Sequence, residues 1–156
     1  MKFNMLVWII SLSLITSIAQ AVAQDEKQSQ FLVHLYHALS IQHYERGEFK
    51  LALATAEAAF NIKREILGEK HHATLQNMNY LVVLYQKLAQ LDKALTLSEK
   101  LYPLTKEVLG EKHPDTLLCM NNLAGAYQAL GQLDKALPLS ETVYRLTKEV
   151  LGDTHS

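Results

Sequence analysis

One cysteine, one tryptophan, three prolines and six glycines in 156 residues leave this chain with little punctuation and no means of cross-linking itself. Cys119 stands alone, which excludes an intramolecular disulfide framework. A formal net charge of −1 gives no electrostatic case for nucleic acid or an anionic membrane surface as a partner. There is no HExxH or CxxC spacing. The stretch Leu109-Gly110-Glu111-Lys112-His113, with its one glycine, is not a phosphate-binding loop. Strand-type alternation of apolar and polar residues occurs nowhere. What remains is 49% hydrophobic and 20% charged, the composition of a folded, helix-rich protein rather than a disordered one.

The first 23 residues differ in kind from the rest. Lys2 supplies a small positive segment, an apolar run extends from Met5 to Ile18, and Ala21-Val22-Ala23 offers small residues at the positions a signal peptidase reads. Residues 1–23 are therefore expected to be a cleaved secretory signal, which places the mature chain outside the cytoplasm, periplasmic or secreted. Serine and threonine within the run and the Ala-x-Ala ending favour cleavage over a retained anchor, although a run of this length comes close to spanning a bilayer. Residues 24–30 read as a polar lead-in.

The repeat dominates everything after that. Residues 109–150 lie over residues 67–108 with 28 of 42 positions identical, and LGDTHS at the end restarts the same unit. Residues 25–66 form a degenerate first copy: Leu39 aligns with Leu81, Glu57 with Glu99 and Gly47 with Gly131, while Phe60 replaces Tyr102. A fixed period of this length is the mark of stacked helical repeats. Within the third copy, Leu117, Met120, Leu123, Ala124, Tyr127 and Leu130 recur at spacings of three and four. A second stripe, Leu133, Ala136, Leu137, Ser140, Val143, Tyr144 and Thr147, follows, with Leu139 and Leu146 off it. Gly131 should end the first helix and Gly68, Gly110 and Gly152 the second, with Pro114 opening the next. Ala89 occupies the place of Gly47 and Gly131, where a left-handed turn would strain a residue bearing a Cβ.

These units resemble tetratricopeptide repeats, in the 42-residue form of kinesin light chains and many bacterial repeat proteins. Leu123, Ala124, Tyr127, Gly131 and Ala136 carry the likeness, with Leu81, Tyr85 and Ala94 in the middle copy and the HPDT stretch after LGEK. Ser98 and Ser140 depart from the pattern. The resemblance implies an all-α fold, a right-handed superhelical stack of three antiparallel helix pairs spanning residues 31–156. It also implies a concave face lined by the first helix of each pair. From the first copy that face would present His34, His37, Ile41 and Tyr44. The middle copy would add Gln76, Asn79, Tyr80, Val83, Gln86 and Lys87, and the third Leu118, Asn121, Asn122, Gly125 and Gln128. Amide side chains both donate and accept hydrogen bonds, which suits them to the backbone of an extended peptide.

The reactive residues assemble no active site. His34 and His37 share a helix face but have no third ligand at a metal-binding spacing, so no metal and no cofactor is expected. His71, His113 and His155 recur at the period, just before a helix start, where a hydrogen bond to that start is their expected role. Cys119 reads as a small core residue. Asp92 and Asp134 recur at the start of the second helix, where a negative charge suits the helix dipole.

The leading expectation is a non-enzymatic interaction module that takes a protein or peptide in a concave groove. Only LGDTHS follows Val150, so no capping helix is in view. Two alternatives follow: the regulatory front of a longer protein with an effector domain beyond, or an envelope scaffold that self-associates through its uncapped end.

Overall fold

The computed structural model describes residues 27–153, and all six helices within them run antiparallel to their sequence neighbours. The expected signal segment, the first three residues of the polar lead-in (24–26), and residues 154–156 with His155 lie outside the described part. Helix α1 occupies residues 27–45, taking in the end of the lead-in, and is followed by α2 (Phe49–Leu67). The second pair is α3 (His72–Lys87) and α4 (Leu91–Leu109), the third α5 (Pro114–Ala129) and α6 (Leu133–Asp153). No strand occurs among the described residues. From α2 onward each helix packs on the next in sequence, α1 meets α2 through the Ser40 hydroxyl, which donates to the Ala52 carbonyl at 2.8 Å, and α3 also touches α5. That extra contact makes the first helices of successive pairs neighbours, so the pairs stack as one helical array.

The turn inside each pair has one design. After α5 the Gly131 N–H donates to the Gln128 carbonyl at 3.0 Å and the Gln132 N–H to the Tyr127 carbonyl at 2.9 Å, with Gly131 at φ 74°. After α3 the same two bonds form, from Ala89 to Gln86 at 3.0 Å and from Gln90 to Tyr85 at 2.8 Å. Ala89 holds φ 55° there, the single positive φ of a non-glycine residue among those described. A Cβ in this conformation costs about 1–2 kcal/mol. Ala89→Gly should therefore raise the thermal midpoint by about 3 °C in a scanning calorimetry comparison, since part of the relief returns as entropy of the unfolded chain. An unchanged or lowered midpoint would show that the turn tolerates its alanine without strain.

The starts of α3 and α5 are fixed by histidine. His71 Nδ1 accepts from the Ala73 N–H at 3.2 Å and His113 Nδ1 from the Asp115 N–H at 3.1 Å, so the recurring histidine is a helix N-cap. This requires the tautomer with its hydrogen on Nε2. The helix ends differ from expectation in one place: α6 runs through Gly152 to Asp153 rather than closing before it. Gly68 and Gly110 close α2 and α4 through N–H bonds to the Arg64 and Lys106 carbonyls at 3.1 and 3.0 Å, and Gly152 makes no such positive-φ turn.

The core runs through the stack as linked clusters. Leu75, Met78, Val82, Leu101 and Cys119 bury together, joining α3, α4 and α5, with Phe60, Leu97 and Leu104 packed against them. Ala52 and Ala56 of α2 bury against Leu81 and Leu84. In the last pair the inward residues of α6 are Ala136, Leu139, Val143 and Leu146, the last three around Leu117 and Met120. Leu133, Leu137 and Tyr144, part of the expected apolar stripe, point outward instead, Tyr144 being 72% exposed. Their stripe is the face on which α4 carries α5: the equivalent Tyr102 packs against Leu117, Met120 and Leu146. A sequence stripe cannot separate the face that meets a partner helix within the pair from the face that meets the following pair.

Candidate functional site

The expected groove residues all lie on the first helices of the three pairs, but they divide into two sets. One set is committed to the seams between those helices. Asn122 Nδ2 donates to Asn79 Oδ1 at 2.8 Å, and Gln86 Nε2 donates to the Asn122 carbonyl at 3.3 Å, so the amides of α3 and α5 bind one another. Gly125 faces Gln86 across the same seam: a Cβ built there would sit 4.0 Å from Gln86 Nε2, an ordinary contact. Across the α1–α3 seam Tyr80 donates its hydroxyl hydrogen to the Ser40 carbonyl at 3.2 Å, and its ring lies 6.0 Å from that of Tyr44. Asn79, Tyr80, Val83, Gln86, Asn122 and Gly125 are half-buried as a result. These side chains hold the array together before they meet any partner.

The second set faces outward: His34, His37 and Ile41 on α1, Gln76 and Lys87 on α3, and Leu118, Asn121 and Gln128 on α5. Asn121 stands one period beyond Asn79 and lies apart from the others, in an open hollow beside Val143, Tyr144 and Thr147 of α6. It occupies the outer face of the last pair rather than a seam.

Two pockets open beside the seams, and they are one pocket repeated. The first, about 480 Å³, is formed where α1, the end of α2 and the start of α3 meet, and includes His34, His37, Lys63, Leu67 and Gln76. The second, about 210 Å³, lies where α3, the end of α4 and the start of α5 meet, and includes Gln76, Asn79, Thr105, Leu109 and Leu118. Stepping by 42 carries His34 to Gln76, His37 to Asn79, Lys63 to Thr105 and Gln76 to Leu118. Geometry recurs while chemistry changes.

Inside the second pocket His72 Nε2 and Asp115 Oδ2 are 2.5 Å apart, and Gln76 Nε2 donates to the same carboxylate at 3.3 Å. These bonds hold the Asp115 carboxyl below the usual carboxylate range, the His72 bond being the larger cause. Cys119 shares this pocket, but its Sγ finds Thr105 Oγ1 and Asn79 Oδ1, both at 3.7 Å, and burial pushes its thiol up to about 11. A thiol held protonated in this way is a poor nucleophile, and it behaves as a small core residue.

His72, Asp115 and Lys63 were not among the residues expected from sequence. Their signal is a departure from the repeat: His72 and Ala73 become Pro114 and Asp115 one period on, and Lys63 becomes Thr105 and Thr147. A second repeated constellation sits at the ends of the first helices. Tyr85 and Tyr127 donate to Glu57 and Glu99 at 2.8 and 2.7 Å, while Lys93 and Lys135 lie over their rings. Burial and the Glu57 bond raise Tyr85 to about 12, and the Glu99 bond raises Tyr127 to about 12, so both phenols stay protonated donors that clamp one second helix to the next pair.

A tetratricopeptide repeat family model matches residues 31–104 and again 76–149. The chain belongs to the tetratricopeptide repeat family. Among solved structures it is similar to a kinesin light chain of Podosopora anserina with nearly identical TPR-like repeats, at 27% identity and TM-score 0.67, covering 76% of this chain and 56% of that one. A single-substitution form of the same protein gives 26% identity and TM-score 0.68 over the same shares. BtubC (BKLC) from P. vanneervenii shares the fold at TM-score 0.71 and 19% identity, covering 78% of this chain and 48% of that one. The chain thus spans about half the length of the solved chains it matches. No curated protein sequence matches it. Membership of the tetratricopeptide repeat family places the chain among protein–protein interaction modules.

Proposed function

We propose that the tetratricopeptide array is a non-enzymatic module that binds an extended segment of a partner protein along the face built by α1, α3 and α5. The observation that carries this is the repeated pocket. Two adjacent seams open to the same side in the same register, sharing Gln76 between them. Neighbouring helices in such stacks lie about 8–10 Å apart, the span of about three residues of extended chain at ~3.3 Å each. A peptide crossing the first helices would thus present alternate stretches to the two pockets in series.

Exposed apolar side chains beside them support the reading. Leu118, 47% exposed, lines the second pocket, and Ile41, 41% exposed on α1, adds apolar surface for a partner to cover. The half-buried amides serve as the scaffold beneath. The test uses the intact chain in affinity capture from the source cells' extract, with Ile41→Asp and Leu118→Asp combined. Loss of the captured partners is expected, with circular dichroism unchanged because neither side chain is buried. Full capture by the double variant would remove this face as the binding surface, while Tyr144→Asp on the outer face of α6 serves as the control that should retain capture.

A further inference from the structure

The two repeated pockets differ in one respect that bears on ligand chemistry. Where the second presents Gln76, Asn79 and Thr105, the first presents His34, His37 and Lys63. Three potential cations thus converge from α1 and α2 on one cavity of about 480 Å³. Among the described residues no carboxylate lines that cavity. From α3 it meets only Ala73 and the Gln76 amide, and that amide is turned to Asp115 of α5, which His72 already holds. Lys63 Nζ donates to Asn77 Oδ1 at 3.1 Å and forms no ion pair among the described residues, in contrast to Lys70, Lys100, Lys106 and Lys112. His34 Nδ1 lies 2.7 Å from the Gln30 carbonyl of its own helix.

We propose that this α1–α2–α3 pocket is a proton-linked anion site, taking one oxyanion group, carboxylate or phosphate-like, between Lys63 and the two histidines. The inference does not depend on what partner the array binds. Its physical basis is the uncompensated charge. A half-buried ammonium with only an amide acceptor is costly to keep charged, and desolvation accordingly lowers Lys63. His37 is lowered in turn by desolvation, by Lys63 and by His34. An oxyanion entering the pocket reverses the sign of the local field, so the imidazoles gain a reason to protonate. Binding therefore takes up protons, and affinity rises as pH falls.

Val33, Ile66 and Leu67 wall the rest of the cavity, which suits an anionic group carried on an apolar stem. The second pocket, with Asp115 at its edge, should refuse the same group. One fold position repeated with opposite electrostatics separates the two seams.

The test follows the histidine Cε1–H resonances of the intact chain by NMR from about pH 8 to about pH 6. The probes are sulfate and acetate, with chloride at equal ionic strength as the reference. The His37 midpoint is expected to rise with either probe, and anion affinity to tighten by up to about tenfold per pH unit for each proton taken up. A response to sulfate alone assigns a phosphate-like group, and a response to acetate alone a carboxylate. In Lys63→Met the His37 midpoint should rise without any anion, because the neighbouring charge is gone, and the added anion should no longer move it. His34→Gln keeps the Lys63–Asn77 bond and should weaken the response. Midpoints that ignore both probes, or that move equally in Lys63→Met, would overturn the site.

Discussion

Leu101→Ala should cost about 2–5 kcal/mol and lower the thermal midpoint by about 10 °C, the largest loss expected from a single truncation in this chain. Leu101 is 1% exposed on α4 and packs with Leu75, Met78 and Val82 of α3, Cys119 of α5 and Phe60 of α2. It thus joins three successive pairs, and a cavity left there cannot collapse without moving α4 against both neighbours. In a stack whose stability is a sum of units and nearest-neighbour interfaces, damage at the middle unit weakens both interfaces at once. Val143, the equivalent residue of the last pair, is only half-buried, so Val143→Ala should cost less than half as much. Urea unfolding of the two variants decides the matter. Equal losses would mean that α4 and α6 contribute alike and that the middle pair has no special place.

Asn77→Ala is expected to cost about 2 kcal/mol, more than an exposed amide could. The Asn77 side chain is 4% exposed, donates through Nδ2 to the Ala56 carbonyl at 3.0 Å and accepts from Lys63 at 3.1 Å. It is a polar bolt between α2 and α3, at the place where the next unit puts Cys119. Removing it breaks a buried bond across the first seam and leaves Lys63 with no protein acceptor. Asn77→Cys, which copies the next unit, should not restore stability, because α2 carries Lys63 where α4 carries Thr105. A double-mutant cycle with Lys63→Met should show coupling of about 1 kcal/mol. A cost for Asn77→Ala no larger than that of exposed Asn61→Ala would refute the bolt.

The helix content, the pairing and the turns were legible because they rest on short-range rules. Gly131 and Ala89 take left-handed turns at the positions where the repeat aligned them. His71 and His113 cap helices because they sit two residues before an N–H that needs an acceptor. The outward orientation of Leu137 and Tyr144 was not legible in the same way. Both faces of a second helix are apolar in a stack, and period alone does not say which meets a neighbour. Gly152 likewise fits a helix end by alignment with Gly68 and Gly110, yet α6 continues through it.

How the residues of the candidate face divide between seam and surface was not legible for the same reason. Sequence placed Asn79, Gln86 and Asn122 on the binding face as free amides, and across the seam they are one another's partners. Their spacing is 43 and 36 residues, so no local rule pairs them. The 42-residue period by itself determined a stack of helix pairs with its turns and caps, since each of those follows from residues a few positions apart. Only the tertiary structure decided which amides are spent on seams, and that His34, His37 and Lys63 share one cavity. Charges far apart in sequence interact by distance in space, and the stacking of α1, α2 and α3 sets that distance.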